Sequence, residues 1–216
     1  MPVTGIMSNH FKYQLAMKQI DLDVDTIKVL LMRDGFVFDR DTHAAKKNVK
    51  TNSGAISLTF DSGTKTITRA AGSFITDGFV IGNRITTDAA LNPGPFTVTN
   101  VTALVITVSE AVANEGPVTK TVTSDDELAT GNGYTQDAKT LANTTVTEDD
   151  ANDRAEMAAD DVSWPASGGT IGPTPGAILY DDTSPDDTII GYLDFGGNQS
   201  AASGANFTIT TIRVRI

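Results

Sequence analysis

The chain has 216 residues and a mass of 22.7 kDa, enough for one large or two small domains with a core that needs no covalent staples. It has no cysteine, which excludes disulfides, thiolate metal sites and thiol nucleophiles, and its two histidines, His10 and His43, are too few for a three-histidine zinc site. With 16 basic and 27 acidic residues its net charge is −11, which argues against a polyanion such as DNA as the main partner.

Residues 1–10 contain no charged segment followed by an apolar run, so no secretory leader is expected and synthesis in the cytosol is. No stretch approaches the roughly 18 apolar residues of a membrane span. Residues 9–20 allow two readings. Phe11, Leu15 and Lys18 sit at helical spacing behind a Ser8 or Asn9 cap, while Phe11, Tyr13 and Leu15 alternate as a strand does. The strand is the reading adopted. Residues 26–38 are apolar on both faces (Ile27, Val29, Leu30, Leu31, Met32), which predicts a buried strand, a turn at Arg33-Asp34-Gly35 and a short return strand.

The charge then changes. Residues 1–50 carry a net +2, residues 51–123 a net −1 and residues 124–216 a net −12. The middle block also holds 15 of the 31 threonines, so a separate module is expected over residues 49–123. Its strands are predicted from alternation at Ile56-Leu58-Phe60, Lys65–Thr68, Phe79–Ile85, Phe96-Val98, Leu104-Ile106-Val108 and Val118–Val122. Asp61-Ser62-Gly63, Asn92-Pro93-Gly94-Pro95 and residues 100–103 supply the turns. Five or six short strands suit a small barrel or sandwich. Residues 1–48 and 124–216 together remain as a discontinuous domain long enough for one β-sandwich. A folded insertion is tolerated in a loop whose ends lie close together.

In the last segment Asp149–Ala159 favours helix, yet Val162 and Trp164 point to a strand nearby. Residues 168–176, rich in glycine and proline, are expected to be loop. Residues 177–180 and 188–195 are predicted to form a hairpin around the acidic loop Asp181-Asp182-Thr183-Ser184-Pro185-Asp186-Asp187. At the C-terminus Phe207 and Ile209 share one face, and Ile212, Val214 and Ile216 the next. The slip at Thr210-Thr211 reads as a β-bulge.

The search for chemistry returns little. No Gly-x-Ser-x-Gly, P-loop or His-Glu-x-x-His pattern occurs. Asp21-x-Asp23-x-Asp25 starts like a calcium loop, but its sixth position is Thr26 and its twelfth Met32, so a solvated strand edge is the better reading. The acids of 181–187 are an oxygen-rich loop able to hold a cation or simply to keep a surface soluble. Glu148-Asp149-Asp150 and Asp160-Asp161 are adjacent acids without the aromatic cleft of a glycosidase. His10 and His43 read as ordinary polar contacts, Lys46, Lys47 and Lys50 as a solvated basic cluster, and Trp164 before Pro165 as core or interface. No catalytic, cofactor-binding or metal-binding residue is assigned.

Three N-terminal runs, 9–15, 25–32 and 38–44, and the run Asp126-Glu127-Leu128-Ala129-Thr130-Gly131-Asn132-Gly133-Tyr134-Thr135 resemble a family of tailed-bacteriophage virion proteins. The similarity continues through 168–173 and 190–197 and covers about residues 1–48 and 124–216. The middle block, through 67–69, 74–79, 82–85 and 96–110, resembles a small β-module found within phage tail-tube and other virion proteins. The resemblance implies an all-β chain, a jelly-roll-like β-sandwich with an inserted small β-barrel or sandwich module. It implies a structural subunit and not an enzyme: a capsid decoration (cement) protein on the outer surface of the virion, made in the host bacterial cytoplasm. Its implied partners are the major capsid protein and copies of itself, with no nucleic acid, membrane, cofactor or metal. The alternative it leaves open is a tail-tube or head–tail joining protein.

Overall fold

The structure is a computed structural model describing residues 4–216; residues 1–3, the head of the stretch read for a leader, lie outside it. In chain order the first elements are β1 (Thr4–Met7), α1 (Asn9–Ala16) and β2 (Ile27–Leu31). Then come β3 (Lys50–Asn52), β4 (Ile56–Asp61), β5 (Thr66–Arg69), α2 (Phe74–Asp77), β6 (Arg84–Thr87), β7 (Phe96–Val101), β8 (Val105–Val108), β9 (Glu115–Lys120) and β10 (Val122–Asp125). The last are β11 (Lys139–Thr140), β12 (Thr145–Asp149), β13 (Arg154–Ala159), β14 (Val162–Pro165), β15 (Ile171–Asp181), β16 (Ile189–Ala201), β17 (Asn206–Ile209) and β18 (Ile212–Arg215). The chain is nearly all β, and it divides into two compact units, Met1–Lys46 with Glu127–Ile216, and Lys47–Asp126. The composition break at 49–123 falls two residues inside the start of the second unit and three inside its end. Composition marks where threonine dominates, whereas the unit extends to the buried polar residues Asn48 and Asp126.

The first unit is an antiparallel sandwich. Its sheets are β1-β16-β15-β2-β11, β12-β13-β18 and β14-β17. Their inward side chains, among them Leu31, Met157, Trp164, Leu179, Phe207 and Ile212, form one continuous core. The hairpin predicted around 181–187 is β15–β16, the longest pairing in the unit. The expected loop at 168–176 is corrected over its last six residues, because β15 starts at Ile171. Register shifts at Thr174 and Gly176 let the strand carry Pro173 and Pro175, and the buried Thr174 hydroxyl donates to the Gly176 carbonyl at 2.9 Å.

Four further readings change. Residues 9–16 are helix, not strand. Alternation would give Phe11 and Tyr13 the same burial, yet Phe11 is fully buried and Tyr13 is 59% exposed. The buried Ser8 caps the helix, its hydroxyl accepting the His10 N–H at 3.2 Å. Ser8→Ala is expected to cost about 1 kcal/mol, read as a lower urea midpoint; an unchanged midpoint would show the cap to be idle. The return strand after Arg33-Asp34-Gly35 does not form. Instead Phe36 and Phe38 close on the His43 ring at 5.3 and 5.5 Å and on Tyr192 at 5.8 and 5.6 Å. The C-terminal slip is not a bulge in one strand. It is a break at Thr211 (φ 58°) between β17, which pairs with β14, and β18, which pairs with β13, and Asp161 accepts the Thr211 N–H at 3.1 Å. The helix-favouring residues of 149–159 form the β12–β13 hairpin.

The second unit is an eight-stranded arrangement, β3-β10-β6-β7-β8-β5-β4-β9, around Leu58, Phe60, Ile67, Phe74, Ile85, Val98 and Ile106. Strands predicted at 56–60, 65–68, 96–98 and 104–108 appear as β4, β5, β7 and β8. The candidate at 79–85 is paired only from Arg84. Ahead of it, Ser73 caps the single turn α2, and Phe74 meets Phe79 edge to face at 5.5 Å. The strand read at 118–122 splits into β9 and β10. The unit is entered and left through paired strands, with Lys50 opposite Asp125 and Thr51 opposite Ser124. This is the geometry that a loop insertion needs. No described helix is long and apolar enough to cross a membrane.

Candidate functional site

The acidic loop between β15 and β16 is an internally bonded turn. Asp181 is fully buried; its Oδ1 accepts the Thr183 and Ser184 N–H groups at 2.8 and 3.2 Å. The Ser184 hydroxyl donates to the Asp181 carbonyl at 2.9 Å and accepts the Thr188 N–H at 2.7 Å, closing the loop at its base. Asp181 Oδ2 is buried with no N–H or O–H donor, and the Asp25 carboxyl lies against Asp181. A second carboxylate at this distance disfavours the charge on Asp181. Burial pushes the Asp181 carboxyl up and the Asp25 charge adds to it, against the pull of the two backbone N–H groups. Asp21-x-Asp23-x-Asp25 is therefore not a solvated strand edge. It is a turn in which Asp25 accepts the Asp21 N–H at 2.6 Å and Asp23 accepts the Val146 N–H at 2.9 Å, occupying a donor on the edge strand β12.

At the other end of the loop Asp186 meets α1. His10 Nε2 is 3.0 Å from Asp186 Oδ2, Gln14 reaches both, and Thr188 Oγ1 lies 2.6 Å from Asp186 Oδ1 and 2.5 Å from Gln14 Oε1. Burial alone would raise the Asp186 carboxyl, but the bonds from Thr188, His10 and Gln14 hold it below the usual range. The order of groups is hydroxyl, carboxylate, imidazole. In nucleophilic catalysis the imidazole must touch the hydroxyl, and here the carboxylate stands between them. The arrangement fastens the loop to the helix and does not activate Thr188.

One of the two remaining loop acids also faces a donor of the chain. Asp182 pairs with Lys28 at 3.0 Å, and Lys28 is raised by that contact. Lys46 pairs with Asp137 at 2.6 Å and lies over the Tyr180 ring, 4.7 Å from its centroid, while the Tyr180 hydroxyl bonds Asp137. Burial works against ionisation of Asp137, and Lys46 and Tyr180 overcome it, leaving the carboxyl low. Among the described residues no three acids or histidines are placed to hold a metal. The basic cluster read at 46–50 is dispersed: Lys47 donates to the Thr76 carbonyl at 3.3 Å and Lys50 faces Asp125 at 3.6 Å. The acids read as adjacent pairs serve separate local bonds, Asp149 to Asn152 and Arg154, Asp160 to Asn143 and Asp161 to Thr211. His43 is buried, and its Nδ1 faces the Asp39 N–H at 2.9 Å. Trp164 is in the core, between Tyr134 and Phe207.

The run 126–135 is anchored by two adjacent buried carboxylates. Asp126, the last residue of the second unit, accepts Asn83 Nδ2 at 2.8 Å and the Arg84 N–H at 3.1 Å. Glu127, the first residue back in the other unit, accepts the Tyr134 hydroxyl and the Asp137 N–H, each at 2.7 Å. Tyr134 in turn accepts the Leu31 N–H at 3.0 Å.

Sequence reasoning missed a basic face. On the sheet β12-β13-β18, Arg154, Arg213 and Arg215 surround Glu156. Burial opposes the charge on Glu156, and Arg215 and Arg213 more than offset it, holding the carboxyl low. The signal in the sequence was the alternation Ile212-Arg213-Val214-Arg215-Ile216, which puts both arginines on the face opposite the core. Comparison with known proteins finds no family model that matches the chain, no curated protein similar to it and no solved structure like it.

Proposed function

We propose that the chain is a structural subunit of a bacteriophage virion, a non-catalytic capsid decoration protein that docks on the major capsid protein together with copies of itself. The observation that carries this reading is the use made of the polar groups. The buried acids Asp126, Glu127, Glu156 and Asp181, and the exposed Asp186, are bonded to the chain's own donors. They lock strands, loops and a second β-unit into stiff bodies. Stiff surfaces suit lasting adhesion, because little conformational entropy is lost on docking.

A decoration protein that buries a standard interface of about 1,600 Å² across a joint between shell subunits stabilises the closed shell by mass action. The net −11 keeps its exposed surface from adhering to nucleic acid. The test is quantitative protein mass spectrometry of purified virions from the phage that encodes the chain. Hundreds of copies per particle are expected. Absence from particles overturns the reading, and a dozen or fewer copies overturns it in favour of the tail tube or the head–tail joint.

A further inference from the structure

We propose that the outer face of the sheet β12-β13-β18 is a self-association surface that receives the acidic surface of a second copy of this chain. Register places Arg215 opposite Glu156, Arg213 opposite Ala158 and Arg154 opposite Asp149. Met157, Ile212 and Val214 take the alternate positions and are buried in the core, so the three arginines share the outer face. Glu156 accepts from Arg213 and from Arg215 (3.2 Å) and lies 3.6 Å from Arg154, which also pairs with Asp149 at 2.8 Å. Two carboxylates thus serve three guanidiniums. Arg213 and Arg215 remain 46% and 58% exposed, and each guanidinium, with five N–H donors, bonds Glu156 through one nitrogen.

Charge distribution makes this face exceptional. Residues 127–216 hold four basic residues, and three of them are here. The whole unit has ten basic against twenty acidic residues. Guanidinium groups pinned by a buried carboxylate are preorganised for bidentate recognition of further carboxylates. The chain offers such carboxylates itself off this sheet, at exposed Asp21, Asp182 and Asp194. The unit's net −10 disfavours a nucleic acid as the occupant.

Arginine face and acidic surface are different patches, so the contact either closes into a ring or exchanges both patches across a two-fold axis.

The inference rests on the self-association within the proposed function and not on the capsid. The experiment is size-exclusion chromatography with light scattering on the purified chain, at about 50 and about 500 mM salt. At low salt the expected mass is a multiple of 22.7 kDa. High salt, Arg213→Glu with Arg215→Glu, and the milder Arg213→Gln with Arg215→Gln are each expected to weaken association, the glutamate pair about tenfold or more, with circular dichroism unchanged. A monomer at every concentration and salt, or an oligomer indifferent to both variants, overturns the proposal. So does retention of a DNA duplex that is lost with Arg215→Glu, which would make the occupant a nucleic acid. A self-associating chain missing from virions sinks only the virion reading, and a monomeric chain abundant in virions sinks only this one.

Discussion

Asn83→Ala is expected to destabilise the second unit by about 3–5 kcal/mol, the range for breaking a buried hydrogen-bonded charge site. Asn83 is fully buried at the entrance to β6. Its Nδ2 donates to the Asn48 carbonyl and to Asp126 Oδ2, both at 2.8 Å, and its Oδ1 accepts the Val80 N–H at 2.8 Å. One amide therefore joins the segment that enters the unit, the turn before β6 and the carboxylate at its exit. Alanine removes all three bonds and leaves the Asp126 charge buried with fewer donors. Asn83→Asp is the sharper variant, because it keeps the Val80 bond and turns an acceptor toward the Asp126 carboxylate. Its carboxyl must be raised, so the added instability grows as pH rises and fades on acidification. Thermal unfolding followed by hydrogen exchange checks both. Early loss of protection confined to 47–126 is expected, and uniform loss over both units, or none, refutes the assignment.

The second prediction has the opposite sign. Asp181→Asn is expected to stabilise the chain at pH 7, by on the order of 1–2 kcal/mol, the worth of removing one like-charge contact in a site closed to water. Asparagine keeps the acceptor for the Thr183 and Ser184 N–H groups and turns a donor toward Asp25. In the parent chain Asp181 is raised by burial and by Asp25, and Asp187 is raised by burial and by Asp182, Asp137 and Asp186 against the pull of Lys46. A raised acid binds its proton more tightly in the folded state. Its contribution is fully present below the unfolded value near pH 4 and is lost as pH rises through the folded value. Asp137, Asp186 and Glu156 are depressed and behave conversely, their contribution being lost only as pH falls through their folded values. The parent should therefore be most stable on the acid side of neutrality. Asp181→Asn should flatten that slope, and Asp181→Asn with Asp187→Asn should flatten it further. Urea midpoints between pH 4 and pH 8 decide the matter; a parent curve flat over that range, or a variant weaker than the parent at pH 7, refutes the raised Asp181 carboxyl.

Much of this architecture was readable in residue order, and the reason is range. Alternation at Ile56-Leu58-Phe60 and at Ile106-Val108 is a property of one strand, and Asp61-Ser62-Gly63 is a property of one turn. The threonine-rich, charge-poor block marked the second unit because a separate core needs its own composition. The α1 region allows both readings because Phe11 and Leu15 fit both periods, with Tyr13 completing the alternation and Lys18 the helical spacing. The buried Ser8 cap and the burial of Phe11 and Gln14 decide between them. Residues 171–176 looked like loop because proline and glycine oppose strands locally, and only the long partner β16, with its shifted register, holds them extended.

By itself the sequence determined the strand class, the two-part division and the acidic character of the hairpin loop, all of which follow from local periodicity and composition. Only the tertiary structure decided that Asp25 meets Asp181, that His10 and Thr188 clasp Asp186 from opposite sides, and that three arginines close around Glu156. Those contacts join residues far apart in the chain, and their geometry depends on strand register and on the break at Thr211. A register changed by one residue would turn Arg213 and Arg215 from the outer face to the core.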